Sequence, residues 1–284
     1  MNNELIKKIK LQDIDVNSFY KSFLSEKEPI LITDIFEQLP SLENWSTEYL
    51  VDKVGNKIIK VNISDDGVFD VNHKTGELNF RSENINFRKY IDIISKKNSK
   101  KKMYAQNISI LREFPELRGE LELIDYIPNK LLHSANLWLG PGGNTTPMHF
   151  DYYNNFFIQL LGEKKIWLYS PEYFYSLYPY SWKSEAPFMS RVNPAKPDYN
   201  KYPNALKAKK IEITVSRGNI LYLPSYWWHQ VYSINTSISV NIWSEPSFKQ
   251  KLVVAHFHSF LNSIFTTVKS KVLGAGKFFE GRNI

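Results

Sequence analysis

Residues 136–171 read NLWLGPGGNTTPMHFDYYNNFFIQLLGEKKIWLYSP, and residues 218–231 read GNILYLPSYWWHQV. In both, short β-branched and aromatic runs are cut by Gly, Pro and Asn, the pattern of strands and the turns between them. Working outward, such runs recur at Ala135–Leu139, Met148–Tyr152, Phe156–Leu161, Lys164–Tyr169, Ile211–Val215, Ile220–Leu223, Gln230–Ile234 and Ser237–Trp243. Strands of that number and length predict a double-sheet jelly roll. The proline-rich excursion from Pro171 to Lys209 then has to be a loop insertion between two of them. The fold class is mostly β with flanking helices.

Composition narrows the chemistry. Of 284 residues 43% are hydrophobic and 15% aromatic, enough for a sizeable core on pleated, half-buried surfaces. The chain has no cysteine, which removes disulfides, thiolate metal sites and cysteine nucleophiles together. A metal would have to be held by His, Asp or Glu, and only six histidines need to be searched. The start, MNNELIKKIK, has no apolar core or cleavage site of a signal peptide, and no stretch is apolar enough to span a bilayer. A cytoplasmic protein without a membrane partner is expected. The formal charge of +7 is partly concentrated in Lys96–Lys102 and in the tail after Lys249. A solvated loop and tail is the favoured reading, and nucleic-acid binding the less favoured one.

Three zones differ in texture. Residues 1–102 mix short patterns into an α/β segment expected to pack on the barrel. They include an amphipathic Phe19–Leu24, an apolar Pro29–Ile32 and a helix starting over Trp45–Leu50 after Ser41. Residues 103–245 form the jelly-roll core. In 246–284 the period changes: Val254, Phe257, Leu261, Ile264 and Val268 recur at spacings of three and four, an amphipathic helix. Such a helix packs either on its own barrel or against a second copy.

The candidate site starts from His149 and Asp151. Alternate residues of a strand leave the same face, so both side chains point one way. Alone, His-x-Asp is a frequent accident. His229, after an apolar strand and a turn at Pro224–Ser225, adds a third donor that a jelly roll can bring alongside. Two His and one carboxylate with open positions is the donor set of non-haem Fe(II) oxygenases. His73 in a polar loop, His133 before a strand, and His256 and His258 on the last helix have structural readings. Trp227, Trp228 and Trp243 read as barrel packing.

In order, the chain carries TPMHFD (146–151), NNFFIQLLGEKKIWLYSP (154–171), LYPY (177–180), NPAKPDYNKYPN (193–204), GNILYLPSYWWH (218–229) and SVNIW (239–243). On these motifs it resembles the JmjC-type (cupin-like) Fe(II)/2-oxoglutarate-dependent oxygenases, most closely the branch of asparaginyl hydroxylases of hypoxia-inducible factor. The resemblance covers about residues 104–245, with weaker similarity through PILITDIF (29–36) and NWSTEYL (44–50). It implies a double-stranded β-helix in which His149, Asp151 and His229 bind Fe(II). Thr146 and Lys164 would hold the distal carboxylate of 2-oxoglutarate, and Tyr104 would cap it. Asn155 and Asn241 would lie beside cosubstrate and metal, and Gln106 would contact substrate. Without the resemblance, Lys164 reads as a surface lysine in a GEKK turn. The implied activity is hydroxylation of a protein or peptide side chain using O2, with succinate and CO2 as co-products. An N-methyl-lysine demethylase, a hydroxylase of a small molecule or tRNA base, and a non-catalytic cupin binding module are the alternatives. The resemblance also places dimerisation helices at the C-terminus, which implies a homodimer through residues 248–272.

Overall fold

The computed structural model describes residues 6–15, 19–96, 102–247 and 250. All eight expected strands are present, each within a few residues of its sequence-based limits. They are β6 (Leu132–Gly140), β7 (Thr145–Phe150), β8 (Asn154–Leu161), β9 (Glu163–Tyr169), β10 (Ile211–Ser216), β11 (Asn219–Leu223), β12 (Trp228–Ser233) and β13 (Ser237–Ser244). They close into two facing sheets, β11-β8-β13-β6 and β10-β9-β12-β7. The excursion between β9 and β10 holds only short 3-10 turns among its described elements.

The N-terminal third extends the first sheet. β1 (Lys7–Lys10) and β2 (Ile30–Thr33) add beyond β11 on one side, and β5 (Lys102–Ser109), β3 (Ile58–Ser64) and β4 (Arg81–Asn86) add beyond β6 on the other. The sheet so formed has nine strands. Three helices cover its outer face: α1 (Phe19–Leu24), α2 (Thr47–Val54) and α3 (Phe87–Ile94), with a short α4 (Ile110–Glu113) beside β6. The helix expected to start near Trp45 begins at Thr47, capped by Ser46, whose Oγ accepts from the Tyr49 N–H at 3.1 Å. Ser41 lies instead in a 3-10 turn, where its hydroxyl donates to Glu120 O and Glu122 Oε1. Ser46 rather than Ser41 immediately precedes Thr47, so it is the serine placed to cap the helix.

Alternation along the strands sorts the two cores. Phe156, Ile158 and Leu160 of β8, Ile220 and Tyr222 of β11, and Ile238, Val240 and Ile242 of β13 face the helices and join the N-terminal residues in one continuous cluster. Phe19 and Phe23 of α1 lie 5.4 Å from Phe156 between ring centroids. The opposite face of the same strands turns Phe157, Leu221, Asn241 and Trp243 into the barrel. On β9 the alternation places Lys165 outside, paired with Glu212 at 2.5 Å, and therefore Lys164 inside. Gly162, at φ 70, makes the turn between β8 and β9 that sets this register. Of the segment expected to form a dimer helix, residues 248–272, all but Gln250 lie outside the described residues, as do 97–101 of the basic run.

Candidate metal centre and its two cavities

β7 and β12 pair antiparallel with His149 directly opposite His229. Their rings lie 4.2 Å apart between centroids. Asp151 follows β7, and the Tyr226 N–H donates to its carbonyl at 2.8 Å from a residue held at φ 68. A non-glycine residue in the left-handed region is uncommon, and here it fixes the turn between the Asp and His contributions. Asp151 Oδ1 is 3.8 Å from His149 Nε2, and Oδ2 is 3.7 Å from His229 Nε2. The three donors all lie within 4.8 Å of one another. The jelly roll thus brings together the three residues expected at a metal.

The far ring nitrogens settle the imidazole orientation. His149 Nδ1 lies 2.8 Å from Pro147 O and His229 Nδ1 3.0 Å from Trp227 O. A carbonyl only accepts, so Nδ1 carries the proton and Nε2 presents its lone pair to the centre. Burial, then the neighbouring His149, pushes the His229 pKa down to about 4, so that ring is neutral at pH 7. Two imidazoles and one carboxylate suit a first-row divalent ion with open positions.

Behind the triad lies a cavity of about 80 Å³, lined among others by Tyr104, Thr146, Asn155, Lys164 and Asn241. Lys164 is 1% exposed. Its ammonium donates to Tyr104 Oη at 3.0 Å and Ser239 Oγ at 2.7 Å, and it lies over the Phe157 ring at 5.2 Å. It has no ion pair among the described residues, and burial alone pushes its pKa down to about 7. Burial likewise raises the Tyr104 phenol. Asn155 donates weakly to Asp151 Oδ2 at 3.5 Å, while the Oδ1 atoms of Asn155 and Asn241 are buried with no protein donor. A buried cation beside orphaned polar atoms, a few residues from a metal triad, suits a small dianion that touches both.

In front of the triad a second cavity of about 290 Å³ opens, sharing His149, Asp151, Thr146, Trp138 and Trp243 with the first. Gln106 lines neither cavity; its Oε1 accepts from Asn62 Nδ2 at 2.8 Å between β5 and β3. The next residue, Asn107, reaches the outer cavity instead. A register shift between Ala105 and Ile108, with Asn107 at φ 56, turns the strand there. Trp227 and Trp228 are core residues as expected, but Trp243 forms cavity wall. Its ring stands parallel to Tyr153, 6.3 Å away, and Tyr153 stacks on His133 at 3.8 Å. His133 lies within β6 rather than before it. Bulges and loop contacts of this kind leave no periodic trace in the sequence.

Residues 16–250 match the family model described as a cupin-like domain. JmjC domain-containing protein D of Dictyostelium discoideum is 29% identical over 262 residues, covering 84% of this chain and 56% of that protein. Lysine-specific demethylase 8 of Xenopus tropicalis is 28% identical over 240 residues, covering 82% of this chain and 52% of that protein. The human bifunctional peptidase and (3S)-lysyl hydroxylase JMJD7 is 26% identical over 261 residues, covering 82% of each chain. The chain spans about half the length of the first two of these relatives.

Proposed function

The chain belongs to the cupin-like domain family, and from that premise we propose that it is an Fe(II)- and 2-oxoglutarate-dependent dioxygenase that hydroxylates a protein or peptide side chain. The relatives' names agree with the JmjC-type resemblance carried by the motifs. The observation that carries the proposal is Lys164: a buried ammonium without an anion, in the same small cavity as the triad. His149, Asp151 and His229 would hold the iron. Lys164, with Thr146 and Tyr104 nearby, would bind the distal carboxylate, and Asn155 and Asn241 would offer polar contacts beside it. When bound, the iron and 2-oxoglutarate supply the oxidising power: O2 decarboxylates the cosubstrate to succinate and CO2, and one oxygen atom enters a substrate C–H bond. The chain's part is orientation, charge and exclusion of water. The aromatic wall of the outer cavity would keep the reacting C–H bond dry and near the metal.

Anaerobic loading with Fe(II) and 2-oxoglutarate, followed by air, tests the reading. Succinate should form only with both, and faster with a suitable peptide; no succinate and no 2-oxoglutarate binding would refute it. Demethylation is the same oxidation at an N-methyl group, and release of formaldehyde distinguishes it. Hydroxylation of a small molecule or tRNA base would appear as stimulation by those compounds rather than by peptides. An intact triad together with Lys164 argues against a non-catalytic binding module. A cytoplasmic location and a homodimer through residues 248–272 complete the proposal; the apolar period of that segment supports the dimer.

A further inference from the structure

His229 reaches the centre on the turn that joins β11 to β12, residues 224–227. Two hydrogen bonds hold this turn to the chain just after β7. The Tyr226 N–H donates to Asp151 O at 2.8 Å, and the Ser225 N–H donates to Asn154 Oδ1 at 2.9 Å. Asn154 opens β8, is 1% exposed and lines neither cavity. Its amide pairs reciprocally with that of Gln250: Asn154 Nδ2 donates to Gln250 Oε1, and Gln250 Nε2 donates to Asn154 Oδ1, each at 3.3 Å. Gln250 is itself fixed at the start of the C-terminal segment. Its Oε1 accepts from the Ser247 N–H at 2.7 Å, while its own N–H donates to Ser247 Oγ at 3.3 Å. This Ser-x-x-Gln exchange is the capping box that opens a helix. A capping box satisfies only its own helix; here the glutamine amide is buried and bonds onward to Asn154 and to Glu26 O, between α1 and β2.

We propose that Asn154 is a positioning residue for the metal centre, and that through it the start of the C-terminal segment holds the turn carrying His229. Metal ligands keep their affinity only while the groups behind them fix their orientation. His229 donates its Nδ1 proton to Trp227 O within the same turn, so a shift of residues 225–227 turns the imidazole directly. Asn154 Nδ2 has Gln250 as its sole partner among the described residues. Withdrawal of Gln250 strands that buried donor, and the amide relieves the cost by rotating away from Ser225. Undocking of the C-terminal segment then reaches the metal although Gln250 touches none of its ligands.

The inference rests on the reading of His149, Asp151 and His229 as metal ligands, and its test separates the two. Mn(II) affinity of the full chain is measured by electron paramagnetic resonance, and the ligand field of the Co(II)-loaded protein by visible absorption. Asn154→Ala should weaken Mn(II) about tenfold or more and shift the Co(II) bands. Gln250→Met, of similar volume, should move both in the same direction by less. Gln250→Glu keeps the acceptor for Ser247 and Asn154 and should stay near the parent. Tyr49→Phe, which loses a hydrogen bond to Glu120 outside both cavities, is the control for a merely structural loss and should move neither. Parent-like affinity and bands in Gln250→Met, or equal shifts in Tyr49→Phe, overturn the assignment. Should Asn154→Ala fail to fold, Gln250→Met decides alone. An Mn(II) affinity unchanged in His229→Ala would count against the metal centre itself, whatever the other variants do.

Discussion

Replacing Lys164 with Met should produce two effects of opposite sign. The side chain is fully buried, and burial lowers its pKa from 10.5 to about 7. At pH 7 the unfolded chain holds the proton firmly while the folded chain holds it about half the time. That difference corresponds to a penalty of about 4 kcal/mol against the folded state. Met removes the penalty and fills much of the volume. It also leaves Tyr104 and Ser239 without their donor, at about 1 kcal/mol each. The net gain is about 2 kcal/mol, or a rise of roughly 4–8 °C in Tm for the protein without cosubstrate. The sign check on pH is specific. Between about 7 and 10.5 the unfolded state binds more protons, so the parent gains stability as pH rises through this window and the Met variant lacks this contribution. The gap in Tm should therefore narrow toward pH 10. With Mn(II) and 2-oxoglutarate added the order reverses: the parent is stabilised and Lys164→Met is not. Losing one half of a buried charge pair costs about 3–5 kcal/mol, more than a hundredfold in affinity. Thermal unfolding at several pH values, with and without cosubstrate, measures both effects. A variant less stable than the parent at pH 7 that still answers to 2-oxoglutarate would refute the reasoning and move the anion site elsewhere.

Other expectations follow from single contacts. Asp151→Asn should abolish tight Mn(II) binding, read by electron paramagnetic resonance, while leaving the far-ultraviolet dichroism unchanged. Tyr90→Phe removes the hydroxyl that donates to Leu139 O at 2.6 Å and accepts from the Ala105 N–H at 3.2 Å. Both groups are then stranded in the core, and urea denaturation should register a loss of about 1–3 kcal/mol. Gly162→Ala places a Cβ against the Thr236 carbonyl at φ 70, so a loss of at least about 1–3 kcal/mol should appear in the same assay. Leu261→Arg should convert a dimer to a monomer in sedimentation at micromolar concentration; a monomeric parent protein would end the dimer proposal.

The barrel strands were legible because period-two alternation and Gly, Pro and Asn breaks are local signals. The triad was legible for a related reason, since His149 and Asp151 share a strand face and His229 needed only the topology. Lys164 was different: the same GEKK turn reads as surface unless the pairing of Lys165 with Glu212 is known, and that contact spans two strands. The strands β1 to β5 went largely unread, because β2 is covered on both faces and pairs with a strand far along the chain, which leaves no alternation to read. Asn107 owes its place to a bulge, which has no period. Trp243 illustrates the limit of composition: an aromatic at a strand end is core or cavity wall according to what lies opposite.

The nine-stranded sheet constrains how the chain can be made. Leu31 of β2 registers against Leu221 of β11, so this early strand finds its barrel partner only late in synthesis. Until residues 219–223 leave the ribosome, Ile30, Leu31 and Ile32 have only β1 beside them. Contacts this distant along the chain make for slow folding and a long interval of exposed strand edge. A refolding yield that falls with protein concentration is the expected test-tube consequence of that one register.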